Sequence, residues 1–164
     1  NISPKDFYFL DIYPIFTGLI EKYGINPGNL RLEITESALS INLERQLELI
    51  NKLRAYGFSV EMDDFGSGYS SLSMLKDTNV DTLKVDMGFL QNTADVEKSR
   101  SILEMIVGLC KKLKLRVLVE GVETAEQVRF LTDLGCDAFQ GYYFARPMPL
   151  SEFEEHYMNV QKDE

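Results

Sequence analysis

Seven carboxylates sit at recurring points of the hydrophobic pattern: Glu33 and Glu36 close one apolar alternation, Asp63 and Asp64 a second, Asp86 a third, and Glu120 and Glu123 a fourth. In a parallel α/β sheet, strand ends of this kind all face the carboxyl edge, where ligands bind. Acids delivered by four separate strands to one rim raise one another's pKa unless something neutralises them, and divalent cations with oxygen ligands do so. Any single acid has a simpler explanation, because βα loops are polar and a helix N-terminus favours Asp or Glu. That explanation does not reach the set. Period-2 arithmetic adds a cation, since Lys84 shares a strand face with Asp86 while Leu83 and Val85 occupy the other. A lysine pointing into the centre of a sheet or barrel is costly to bury unless carboxylates surround it.

The elements that must position these groups follow from hydrophobic periodicity. Strands are expected at residues 30–34, 58–62, 82–85, 115–119 and 138–141. Leu43, Leu47 and Ile50 mark a helix over 42–56 that Gly57 can stop, and a Gly- and Ser-rich loop at 64–68 leads to a short helix near 70–76. Ile102, Ile106, Leu109 and Leu113 mark a longer amphipathic helix. Thr124 with Gln127 reads as a capping box opening a helix that ends at Gly135, and Ser151 with Glu154 as another opening the last helix. A helix over 13–23 precedes the first strand, with Pro14 as its expected first residue. Five strands alternating with helices mean a parallel sheet with helical crossovers; periodicity leaves open whether it is flat or closed.

Composition bounds the rest. With 164 residues, 45% of them hydrophobic, the chain suffices for one packed domain, expected to span 1–164. A net charge of −9 disfavours duplex DNA or RNA as a partner. Cys110 and Cys136 have no metal-type spacing and form no disulfide framework, so a reducing, cytoplasmic compartment is expected. No apolar run approaches the ~20 residues that span a bilayer; tethering through another domain stays open.

Glu33-Ile34-Thr35-Glu36, the run Asp63 to Leu72 (DDFGSGYSSL), Leu83-Lys84-Val85-Asp86, Glu120-Gly121-Val122-Glu123-Thr124 and Gln140-Gly141-Tyr142 resemble, in order, the motifs of the EAL domain, a family of bacterial cyclic di-GMP phosphodiesterases. Asn1-Ile2-Ser3 is similar to that family's Asn-x-Ser element. The resemblance implies a TIM-like (β/α) barrel whose two divalent cations, Mg²⁺ or Mn²⁺, activate a water that opens cyclic di-GMP to linear pGpG. It implies metal ligation by Asn1, Glu33, Asp63, Asp64 and Glu120. Lys84, beside the attacking water, joins Glu120 and Asp64 as the catalytic set. Glu123, Gln140 and Asp86 are implied to hold the nucleotide, and Glu36 to brace the loop from Asp64 to Ser71, near which family members often pair as homodimers. A full barrel takes roughly 250 residues, so five of eight βα units need about 156, and the first strands are expected to be absent from this chain.

Three departures from the family pattern stand out. The Glu-Ala-Leu element, whose Glu is implied to be a metal ligand, has no counterpart in this chain. Met87-Gly88 replaces a frequent Arg-Ser, and Glu61 stands where a small residue is usual, with Arg31 as its expected partner. A cyclic di-GMP receptor with impaired catalysis, or an interaction module, is therefore the alternative to an enzyme. Other signals fall away. Asp64-Phe65-Gly66 spells a kinase triplet without the other kinase motifs. The lone histidine, His156, lies outside every motif, which leaves Ser70 and Ser71 without a triad partner. The aromatics Phe7, Tyr8, Phe9, Tyr13 and Phe16 read as packing or contact surface.

Overall fold

Short apolar runs punctuated by helices pair in chain order. In the computed structural model, which describes residues 1–39, 42–65, 72–86, 88 and 96–158, the order of elements is α1 (Pro4–Phe9), α2 (Ile12–Tyr23), β1 (Arg31–Thr35), α3 (Glu36–Leu39), α4 (Leu43–Tyr56), β2 (Ser59–Phe65), α5 (Leu72–Asp77), β3 (Thr82–Asp86), α6 (Val96–Leu113), β4 (Arg116–Glu120), α7 (Ala125–Leu134), β5 (Ala138–Phe139) and α8 (Leu150–Phe153). The strands form one sheet in the order β1-β2-β3-β4-β5, each pair parallel. Parallel crossovers are right-handed, so a strand order that never reverses carries every crossover helix to the same face. That is the winding of a barrel wall, and it settles the question periodicity left open.

The helix-covered face is aliphatic: Leu32, Ile34, Val60, Met62, Leu83, Val85, Val117 and Val119 are buried in one cluster with Leu39, Ile50, Leu53, Leu103, Val107, Cys110 and Leu131. The opposite face carries Glu33, Glu61, Asp63, Lys84 and Glu120, placed by the pairings Glu33 with Glu61, Thr35 with Asp63, and Asp86 with Glu120. One irregularity serves both faces. Met62 pairs with Leu83 and Phe65 with Val85, so Asp63 and Asp64 together oppose Lys84 in a β-bulge. Asp64 takes the left-handed conformation (φ 58°) that Asp tolerates better than most residues. In strict alternation Asp63 and Phe65 would share a face. The extra residue lets Asp63 face Lys84 while Phe65 is buried in the aliphatic cluster.

Aspartates lock the opposite ends of two strands. Asp81, just before β3, accepts the Val60 N–H at 2.9 Å and is clamped by Arg54 at 2.6–3.2 Å. Asp137, just before β5, accepts the Val117 N–H at 2.7 Å. Among the described residues, no helix is long and apolar enough to cross a membrane.

Several boundaries differ from the sequence expectation. Glu36 opens α3 rather than ending β1, because the chain turns into a helical turn directly after Thr35. Glu123 lies beyond β4, which ends at Glu120. Helix α2 begins at Ile12, so Pro14 is its third residue, where its missing N–H still falls in the unpaired first turn. The Thr124–Gln127 capping box forms, whereas the Ser151–Glu154 box does not: α8 starts at Leu150 after Pro149, which places Ser151 inside the helix, and Glu154–Met158 continues as a π-helical turn. Helix α1 was not expected, although Ser3-Pro4-Lys5-Asp6 carries its signal, a capping box with proline in the first turn. The loop over 66–71, Met87 and the first residues of the short helix expected near 70–76 lie outside the described residues.

Candidate active site

Strand β3 brings Lys84 to the centre of the polar face, where only 3% of it is exposed. Its Nζ lies 2.9 Å from Glu33 Oε1 on β1, 3.1 Å from Asp63 Oδ1 on β2 and 2.9 Å from Glu120 Oε1 on β4. An ammonium has three donors and no acceptor, so three carboxylate oxygens match its capacity. Burial by itself pulls the Lys84 pKa down, but the hydrogen bonds to Glu33, Glu120 and Asp63 outweigh it and hold the ammonium well above the ordinary lysine value. The Glu120 carboxyl is pushed up, mainly by burial and further by the charges of Asp63 and Glu33, against the pull of Lys84. Three acids against one base leave an excess of negative charge on this face.

Around that cluster, Asp64 follows Asp63 at the bulge and is exposed, with its backbone N–H donating to Asp63 Oδ1 at 3.0 Å. Asp86 is exposed two residues beyond Lys84 and accepts the Gly88 N–H on Oδ1. Asn1 is exposed at the end of the chain, anchored beside β1 because the Ile2 N–H donates to the Glu33 carbonyl at 2.8 Å and Ile2 bridges to Ile34. Glu123 and Gln140 are exposed on the loops that follow β4 and β5. Gln127 Oε1 accepts the N–H groups of Glu123 and Thr124, and Gln140 is laced to β4 by its N–H on the Val119 carbonyl at 2.9 Å and its carbonyl on the Val122 N–H at 3.0 Å. Gly141 has to be glycine, since a Cβ there would run into the backbone of Val122. Glu36 is buried at the start of α3.

The structure thus gathers Glu33, Asp63, Lys84 and Glu120 into one cluster and leaves Asn1, Asp64, Asp86, Glu123 and Gln140 outside its ion pairs. Below the cluster, Glu61 is 2% exposed and pairs with Arg31 at 3.3 Å, the partner expected from sequence. The donor set has the chemistry of a hard divalent cation's ligands: carboxylate oxygens from three strands, in charge excess. Among the described residues, no three acids already form a ligand sphere. One oxygen of each is turned to Lys84 instead, leaving a second oxygen of Glu33, Asp63 and Glu120 outside these three ion pairs.

Comparison with known proteins identifies the family. The family model for the EAL domain matches residues 1–147. Cyclic di-GMP phosphodiesterase NbdA of Pseudomonas aeruginosa is 41% identical over 136 residues, which are 83% of this chain and 17% of that protein. The c-di-GMP complex of the PaMucR phosphodiesterase matches with a TM-score of 0.86 at 36% identity, over 93% of this chain and 62% of that one. BlrP1 of Klebsiella pneumoniae, solved as a manganese and cyclic di-GMP complex, matches with a TM-score of 0.79 at 30% identity, over 88% of this chain and 37% of that one. The chain spans about a fifth of the length of NbdA and of the signaling protein YkoW of Bacillus subtilis.

Proposed function

The chain belongs to the EAL domain family, and from that premise we propose that it acts as one domain hydrolysing cyclic di-GMP to linear pGpG with two divalent cations, Mg²⁺ or Mn²⁺. The observation that carries the reading is the buried ammonium of Lys84 with carboxylates from three strands around it at 2.9–3.1 Å. A protein with no use for this cluster has little physical reason to keep three acids together in a half-buried place.

In this reading Asn1, Glu33, Asp63, Asp64 and Glu120 hold the cations. Bound there, such cations would lower the pKa of a coordinated water and offset phosphate charge. Lys84 stands beside the attacking water as a fixed positive charge, and Glu120 and Asp64 fix the geometry of attack; the water oxygen forms a new bond to phosphorus as one ester P–O bond breaks, and the leaving ribose oxygen takes a proton, which opens the ring. Asp86, Glu123 and Gln140 hold the nucleotide from the rim. Glu36, buried at the start of α3, is assigned to brace the loop from Asp64 to Ser71. Support comes from the family match and from relatives named as cyclic di-GMP phosphodiesterases.

The alternative is a receptor that binds cyclic di-GMP without opening it. Incubation of the full protein with cyclic di-GMP and Mg²⁺ or Mn²⁺, followed by chromatography, separates the two. Metal-dependent appearance of pGpG is the expected result. Tight nucleotide binding without turnover would replace the enzyme by a receptor.

A further inference from the structure

We propose that Lys84 is a built-in competitor for the cations of this site: an internal counter-ion that assembles the carboxylates before a cation arrives and weakens the hold on that cation afterwards. The inference rests on the metal-dependent reading above and adds to it a device that sets occupancy.

Three observations support it. First, Nζ of Lys84 takes one oxygen from each of Glu33, Asp63 and Glu120, so the groups that would ligate a cation are the groups already engaged by the ammonium. Second, Lys84 is 3% exposed on a central strand, with neighbours on both sides, so its charge cannot withdraw into water when a cation enters. An incoming cation therefore meets a fixed like charge a few ångströms away, in surroundings less polarisable than water. Third, three carboxylates and one ammonium leave an excess of two negative charges, so the cluster still attracts cations, a dication more strongly than a monovalent ion. The same ammonium that keeps the acids from repelling one another thus raises the cation concentration needed to bring a cation among them.

The competition predicts a gain of function in metal binding. With the full chain and Mn²⁺ as the probe, free Mn²⁺ measured by electron paramagnetic resonance gives a dissociation constant for the wild type and for Lys84→Met. The variant is expected to bind about tenfold more tightly or better, and to gain more thermal stability from added Mn²⁺ than the wild type does. Equal or weaker binding by a folded Lys84→Met overturns the competition and leaves the metal-dependent reading standing. Absence of Mn²⁺ binding by both proteins overturns both. Should Lys84→Met not fold without metal, the wild type supplies the answer: in ¹⁵N-lysine-labelled protein titrated with Mg²⁺, the Lys84 Nζ signal is expected to move as the cation takes its carboxylates. A Lys84 signal unchanged at Mg²⁺ saturation overturns the proposal.

Discussion

An ammonium group shut away from water is tolerable when its donors are used, and Lys84 directs its own at Glu33, Asp63 and Glu120. The three acids differ in what they tolerate. The Glu120 carboxyl is pushed up chiefly by burial, whereas Asp63 stands where the bulge turns the chain toward Lys84. Substituting Asp63 therefore separates chemistry from folding. Asp63→Asn keeps an oxygen for the Lys84 donor and leaves the ion pairs to Glu33 and Glu120, so the unfolding free energy from urea titration should change by no more than about 1–2 kcal/mol. Turnover of cyclic di-GMP should fall by more than about a hundredfold, because the amide removes a negative oxygen from the ligand set; activity within a few-fold of wild type would remove Asp63 from its role. At this scale the sequence was informative. Period-2 arithmetic put Lys84 among carboxylates, and the Glu61–Arg31 pair was expected from charge and strand position. The sequence does not say which acids touch Lys84 and which stay on the rim, because that depends on register and on the direction each side chain takes.

At the scale of elements, the site depends on anchors at both ends of the strands. Asp81 receives Arg54 and the Val60 N–H, and Asp137 receives the Val117 N–H, so two βα units are pinned by the same device at the end away from the cluster. Burial pushes the Asp81 pKa up, but the hydrogen bonds from Arg54 and from the Val60 N–H outweigh it and hold the carboxyl below its ordinary value. A carboxyl whose pKa is lower in the folded than in the unfolded state contributes stability above the unfolded value, about 4, and loses it as the pH falls through the folded value. Asp81→Asn should thus lower the unfolding free energy by about 1–3 kcal/mol at pH 7. The gap to wild type should narrow as the pH drops below about 4, and a constant gap from neutral to acid pH would show that the ion pair contributes nothing specific. Sequence signals for elements were uneven. The Thr124 box and the Gly57 stop formed as read, since both are local chemistry within one turn. The Ser151 box failed because Pro149 admits the helix two residues early, and the bulge at Asp63–Asp64 went unseen because it exists only against the register of β3.

For the molecule as a whole, the unbroken strand order decides where everything lies: helices over one face, Lys84 and its acids on the other. The aliphatic layer between helices and sheet also seals Cys110, fully buried, whose thiol is pushed up to about 11, mostly by burial with the neighbouring Cys136 and Asp137 adding to it. Its reaction with a disulfide reagent at neutral pH should be at least about a hundredfold slower in the native protein than in urea and should track global unfolding. Rapid labelling without loss of circular dichroism would mean that the layer under α6 opens locally. The sequence by itself determined the family, the alternation of strands and helices, the acids at the strand ends and the lysine among them, since these are properties of residue type and of periods two and 3.6. Only the tertiary structure decided that the sheet winds in one direction, that Asp63 and Asp64 share a bulge, and that Glu33, Asp63 and Glu120 converge on Lys84. Those are relations between residues about 20 to 50 positions apart, fixed by strand pairing and packing, and no local pattern encodes them.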